Sequence, residues 1–162
     1  MPQDKSQSPV VEAVRAVSHR DHAPGRQLGI TRDLISQVVH AFYDEIRADA
    51  LLGPIFGKRI APERWPAHLE TMVEFWSSVL LLTGSYKGKP VPAHLQLGVE
   101  DAHFRHWLAL FGQVTARLCT AEIAALFMER ATRIADSLRF AIATAEAGDG
   151  PPRFPAPLAA GG

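Results

Sequence analysis

The sequence predicts an all-α protein, and three observations lead there. Apolar residues recur at helical spacing in separate long stretches, glycine and proline gather between those stretches, and nothing alternates with period two for long enough to make a strand. A chain of 162 residues with 47% apolar content suits one domain with a real core.

Residues 1–29 read as a flexible extension, disordered or with a loose helical turn or two: polar, broken by Pro2, Pro9, Pro24 and Gly25, with a short apolar patch at Val10, Val11, Val14 and Val17. Asp4 and Glu12 interrupt any leader-like apolar run, so no targeting segment is expected there. From Gly148 the sequence GDGPPRFPAPLAAGG has no periodicity, and 147–162 reads as a disordered tail. The folded domain is expected over 30–146.

The first helix runs from an N-cap at Thr31 to about Ala48, with Ile35, Val38, Val39, Phe42 and Ile46 on one stripe and Tyr43 at its edge. Gly53 and Pro54 end the pattern, and a tight turn then presents Phe56. The second helix begins near Pro62 or Pro66, because proline is accepted in a first turn, and reaches about Leu82 before Gly84. Its inward stripe reads His68, Met72, Phe75, Val79 and Leu82, with Trp76 beside it. The following loop holds Gly84, Gly88, Pro90 and Pro92, leaving room for one short helical turn around His94 before Gly98. A third helix, Glu100 to Leu118, points Phe104, Trp107, Leu108, Phe111, Val114 and Leu118 inward and leaves His103 and His106 off the stripe. Thr120 caps a fourth helix to about Ala145, carrying Ile123, Leu126, Phe127, Ile134 and Leu138, with Arg130 on the same face.

Charge and cysteine content narrow the function. Seventeen basic and seventeen acidic residues cancel, which gives no footprint for nucleic acid or anionic lipid. Apolar runs such as Val79 to Leu82 are far too short for a bilayer span. The single cysteine, Cys119, excludes an internal disulfide and multi-cysteine metal sites, agreeing with a reducing, cytoplasmic setting, and reads as a small apolar core residue. A monomer is the default expectation.

The chemistry lies in polar tips on apolar faces. Tyr43, His68 and Trp107 occupy or border inward stripes of three different helices, and His94 sits on a loop. Each alone reads as ordinary core; together they amount to much inward hydrogen-bonding capacity, and a buried polar group left unpaired costs about 1–3 kcal/mol. A cavity holding a polar ligand resolves that cost. One imidazole cannot hold zinc, which wants four protein ligands or three plus water. A metal already held by a macrocycle needs only one, and haem iron takes a single axial imidazole with its other face open. His94 is then the metal ligand, and Phe56, Met72, Phe75, Leu97, Leu110 and Phe111 are candidates to bury the ring. A site from Asp101, His103 and His106 has the spacing but lies on the outer face. The competing reading is a cofactor-free helical interaction domain whose aromatic stripes are only core.

The blocks HAFYDEIRADALLGPIFGKRI, ERWPAHLETMVEFWSSVLL, GSYKGKPVPAHLQL and FRHWLALF, in this order and spacing, resemble the group III truncated haemoglobins, short globins that pack two helices over two around haem. The resemblance covers about Thr31 to Ala145. It implies haem b (iron protoporphyrin IX) as cofactor and His94 as the proximal ligand. It implies Tyr43 and Trp107 as donors to a ligand on the open face, His68 as a residue of the distal gate, and Phe56 as a ring packed on the haem, with Met72 and Phe75 following in the pocket. Implied ligands are dioxygen, carbon monoxide or nitric oxide, and implied roles are nitric oxide or peroxide chemistry, sensing or scavenging, with an electron-donating reductase as a candidate partner. Candidates to meet the haem propionates are Arg64, Lys87 and Arg130.

Overall fold

The computed structural model describes residues 22–88, 94 and 98–147. The expected tail beyond 147, most of the N-terminal extension and Leu97 lie outside them. Among the described residues the chain is all-α: α1 Pro24–Gln27, α2 Arg32–Ala48, α3 Gly53–Arg59, α4 Trp65–Leu81, α5 Asp101–Leu118 and α6 Ala121–Glu146, with a 3-10 turn Pro62–Arg64 leading into α4.

The helices form where the sequence places their signals. Thr31 caps α2 by accepting from the Leu34 N–H at 3.2 Å, and Thr120 caps α6 by accepting from Ile123 at 3.4 Å; each such cap contributes about 1 kcal/mol. Glu100 starts α5 with a reciprocal box in which His103 Nδ1 accepts from the Glu100 N–H at 2.8 Å. Pro66 falls in the first turn of α4, where its missing N–H costs nothing. At its other end α4 stops at Leu82, held in the left-handed region at φ 53°.

The helix pair α2 and α4 lies against α5 and α6: α2 packs on both α4 and α5, and α5 on α6. Phe42, Phe111, Phe127, Ile35 and Ile46 are fully buried where these elements meet, and each contributes about 1.5–3 kcal/mol of apolar burial. A stacked column runs through this core, Trp107 on Phe111 at 5.6 Å and Phe111 on Trp76 at 5.2 Å. A smaller cluster of Phe104, Ala135, Leu138, Ala141 and Ile142 joins α5 to α6.

The structure corrects the sequence reading in four places. Residues 23–29, assigned to the flexible extension, carry α1, and Ala23 is fully buried. Gly25 sits so close to α4 that a Cβ there would lie 2.6 Å from the Leu80 carbonyl oxygen. The turn expected at Phe56 is a helix, α3, because Pro54 takes a first-turn position and Asp49 accepts from the Leu51 and Leu52 N–H groups ahead of it. On α4 the fully packed residues are Val73, Trp76, Ser77, Leu80 and Leu81, while His68, Met72 and Phe75 are half-buried. Leu118, read as inward, is 37% exposed at the end of α5.

Candidate functional site

A cavity of about 300 Å³ opens among the helices, at the lower end of the ~300–1,000 Å³ typical of small-molecule and cofactor sites. Its walls are mainly apolar. Leu52, Ile55 and Phe56 form one wall from α3 and the turn before it; Met72, Phe75 and Trp76 form another from α4; Phe104, Ile134, Ala135 and Leu138 close it from α5 and α6. Into this shell come the side chains of Tyr43, His68, Tyr86, His94, His103 and Trp107.

Helical geometry explains the partition of α2. Phe42 and Tyr43 are adjacent, so their side chains diverge by about 100°: Phe42 faces Phe111 and Trp107, and Tyr43 faces His68, Trp65 and Phe56. Tyr43 is 7% exposed, and burial pushes its phenol well above the usual tyrosine range, so it stays a protonated donor. Trp65 was not singled out from sequence. It is buried, packs at 5.8 Å on Tyr43 and 5.5 Å on His68, and carries the Arg47 guanidinium over its outer face at 4.7 Å.

Three polar side chains of the cavity, His68, Tyr43 and Trp107, have no hydrogen-bond partner among the described residues. His68 Nε2 is buried with no hydrogen-bond partner among the described residues. Burial first, and then the nearby His94, lower the pKa of its imidazole and keep it neutral. Tyr43 and Trp107 make ring contacts and no hydrogen bond among the described residues. The buried His68 Nε2 costs about 1–3 kcal/mol unless a bound group satisfies it.

Of the residues expected to hold a cofactor, Phe56, His68, Met72, Phe75, His94 and Trp107 line the cavity. Phe111 does not: it is 1% exposed in the core, sandwiched between Trp76 and Trp107, which themselves line the cavity. Leu110 packs on the same core, away from the lining. Leu97 lies outside the described residues. Arg64, Lys87 and Arg130 are not among the lining side chains either; the first two are exposed, and Arg130 pairs with Glu129 at 3.4 Å. The site considered from Asp101, His103 and His106 is not formed. His103 lines the cavity, His106 bonds Asp49, and Asp101 pairs with Arg105 and Arg139. Among the described residues no group of three or more metal-ligating side chains comes together.

Residues missed from sequence include Tyr86, packed on Phe75 at 5.1 Å, and His103. His103 was legible in principle. Three residues after Glu100, it occupies the capping-box position, which turns its ring back over the first turn.

An all-α sandwich of two helix pairs around a polar-tipped aromatic cavity that His94 lines is the architecture of a globin of the short class. No protein-family model matches the chain. It is 33% identical over 109 residues to the group 3 truncated haemoglobin ctb of Campylobacter jejuni, covering 86% of that protein and 65% of its own length. The crystal structure of a group III truncated haemoglobin from Campylobacter jejuni matches with a TM-score of 0.65 at 32% identity, covering 89% of that chain and 68% of this one. The chain belongs to the group III truncated haemoglobin family. Membership implies a haem cofactor, and the unpartnered polar groups and apolar walls of the cavity fit one.

Proposed function

We propose that the cavity holds haem b with His94 as the axial ligand, and that a small diatomic molecule, dioxygen, carbon monoxide or nitric oxide, binds on the face bounded by Tyr43, His68 and Trp107. The observation that carries this reading is the convergence of a phenol, an indole and the His68 Nε2, none bonded to described protein groups, on the cavity that His94 also lines. The haem iron, when bound, supplies the coordination position for the ligand.

The chain's own part is positioning and solvent exclusion. Tyr43 and Trp107 each offer a fixed donor, and neither has to be withdrawn from another partner first. Donors of this kind favour a ligand that gathers negative charge, by ~1.5–3 kcal/mol for each charge-assisted bond. Neutral His68 can donate or accept at the edge of the same face. Phe56, Met72 and Phe75 keep water from the face.

Two such donors slow ligand release by orders of magnitude, which suits nitric oxide or peroxide detoxification, sensing or scavenging better than oxygen delivery. Turnover in either detoxification needs an external electron source, so a reductase is the expected partner of a monomeric, cytoplasmic protein. Among the described residues no helix is long and apolar enough to cross a membrane.

Absorption spectra of the oxidised, reduced, oxygenated and carbonmonoxy forms test the proposal. An intense Soret band that moves with each ligand supports it. A colourless, folded protein that takes up no haem would return the chain to the cofactor-free helical reading.

A further inference from the structure

The turn between α2 and α3 is tied to the second turn of α5 by two side chains, Asp49 and His106. Asp49 Oδ2 lies 2.6 Å from His106 Nε2. A carboxylate only accepts, so the imidazole donates through Nε2–H. The other carboxylate oxygen accepts from the Leu51 and Leu52 N–H groups at 2.9 and 2.8 Å. The Asp49 side chain is 15% exposed, which sets this pair apart from the solvated ion pairs elsewhere on the protein. The His106 bond first, and the Leu52 N–H next, hold the Asp49 carboxyl below the usual aspartate range.

What the pair joins matters more than the pair. Leu52, whose N–H is bonded to Asp49, lines the cavity, and Trp107, next to His106 in the chain, lines it too. Asp49 is also the C-cap of α2, the helix that carries Tyr43. The ring contacts of Trp107 are edge-on to Phe42 at 5.5 Å and stacked on Phe111. Stacking fixes the plane of a ring but resists sliding weakly, whereas a short charge-assisted bond is directional and fixes position.

We propose that Asp49 and His106 are positioning residues for the ligand-binding face: their bond holds α5 against the α2–α3 turn and so sets how closely the Trp107 indole N–H approaches a ligand at the haem. The inference rests on the reading above that Trp107 is a ligand donor. Neither Asp49 nor His106 touches the ligand.

The test uses the holoprotein in its carbonmonoxy form, read by the C–O infrared stretch and the rate of carbon monoxide release. His106→Phe keeps ring volume and the turn bonds of Asp49 and removes only the Nε2 donor. The C–O band is expected to broaden and rise in frequency toward that of Trp107→Phe, with release altered by about three- to tenfold, the scale of one misplaced hydrogen bond. In a Trp107→Phe background the same substitution should change neither reading, because the two act as a unit. His106→Gln, which restores an N–H donor, should recover part of the parent band. A His106→Phe protein with the parent's band and release rate overturns the proposal, even if its unfolding temperature drops. So does an effect that simply adds to that of Trp107→Phe. Asp49→Asn, which keeps the turn acceptor, provides the same comparison if the histidine variants fail to fold. A parent with no Soret band overturns the haem reading and this inference together; a normal Soret band with an unmoved C–O stretch overturns this inference alone.

Discussion

The rings of Tyr43 and His68 meet edge to face, with centroids 5.1 Å apart and planes at 89°. Burial pushes the phenol's pKa up and the imidazole's down, so both stay neutral over the physiological range. Two neutral groups share a confined, largely apolar space without mutual repulsion, and the hydroxyl remains a donor.

Tyr43→Phe removes that donor and keeps the ring. Oxygen or carbon monoxide release measured by flash photolysis or stopped flow should change, with dioxygen leaving roughly ten- to a hundredfold faster for the loss of ~1.5–3 kcal/mol. Chemical denaturation of the variant should match the parent within ~1 kcal/mol, because Tyr43 makes ring contacts that phenylalanine repeats.

Phe111→Ala should behave in the opposite way. It opens a hole between Trp76 and Trp107 in the closed core, and urea unfolding should show a loss of about 3–5 kcal/mol. Leu110→Ala, at a half-buried position, should cost much less.

Gly25→Ala probes whether α1 belongs to the folded unit. The added Cβ would lie 2.6 Å from the Leu80 carbonyl oxygen, a backbone atom that cannot rotate away. Displacing α1 should cost about 1–3 kcal/mol in thermal or chemical unfolding. An unchanged midpoint would return residues 22–29 to the flexible extension.

The Asp49 carboxyl gives a pH dependence with a definite sign. Its folded pKa is depressed, so the unfolded chain binds its proton first as pH falls. The stabilisation is fully present above the unfolded aspartate value of about 3.9 and is lost as pH drops through the lower folded value. Asp49→Asn should therefore cost ~1 kcal/mol at neutral pH, a modest figure because His106 is 37% exposed, and the difference from the parent should shrink below about pH 4. Unfolding curves of both proteins at neutral and acid pH check this.

Local signals were enough for the main helices, because Thr31, Thr120, Pro66 and the apolar stripes each act within a turn or two. The cavity was only half legible. Stripe positions such as Met72 and Phe75 were identifiable as inward, but periodicity cannot tell a face packed on protein from a face packed on a cofactor. For that reason Phe111, deep in the core, was grouped with the cavity residues. The role of His106, read as an outer-face residue, was hidden for a different reason: its partner Asp49 is 57 residues away, and a pair so distant leaves no mark in local spacing. Trp65 was overshadowed by its neighbour Pro66, which reads as a helix start and not as the edge of an aromatic cage.

The most direct measurement is the absorption spectrum of the purified protein beside that of His94→Ala after both are offered haem. The account predicts a strong, ligand-responsive Soret band in the parent and its loss, or weak and readily extracted haem, in the variant. An unaltered band in His94→Ala, with the same response to carbon monoxide, would contradict it.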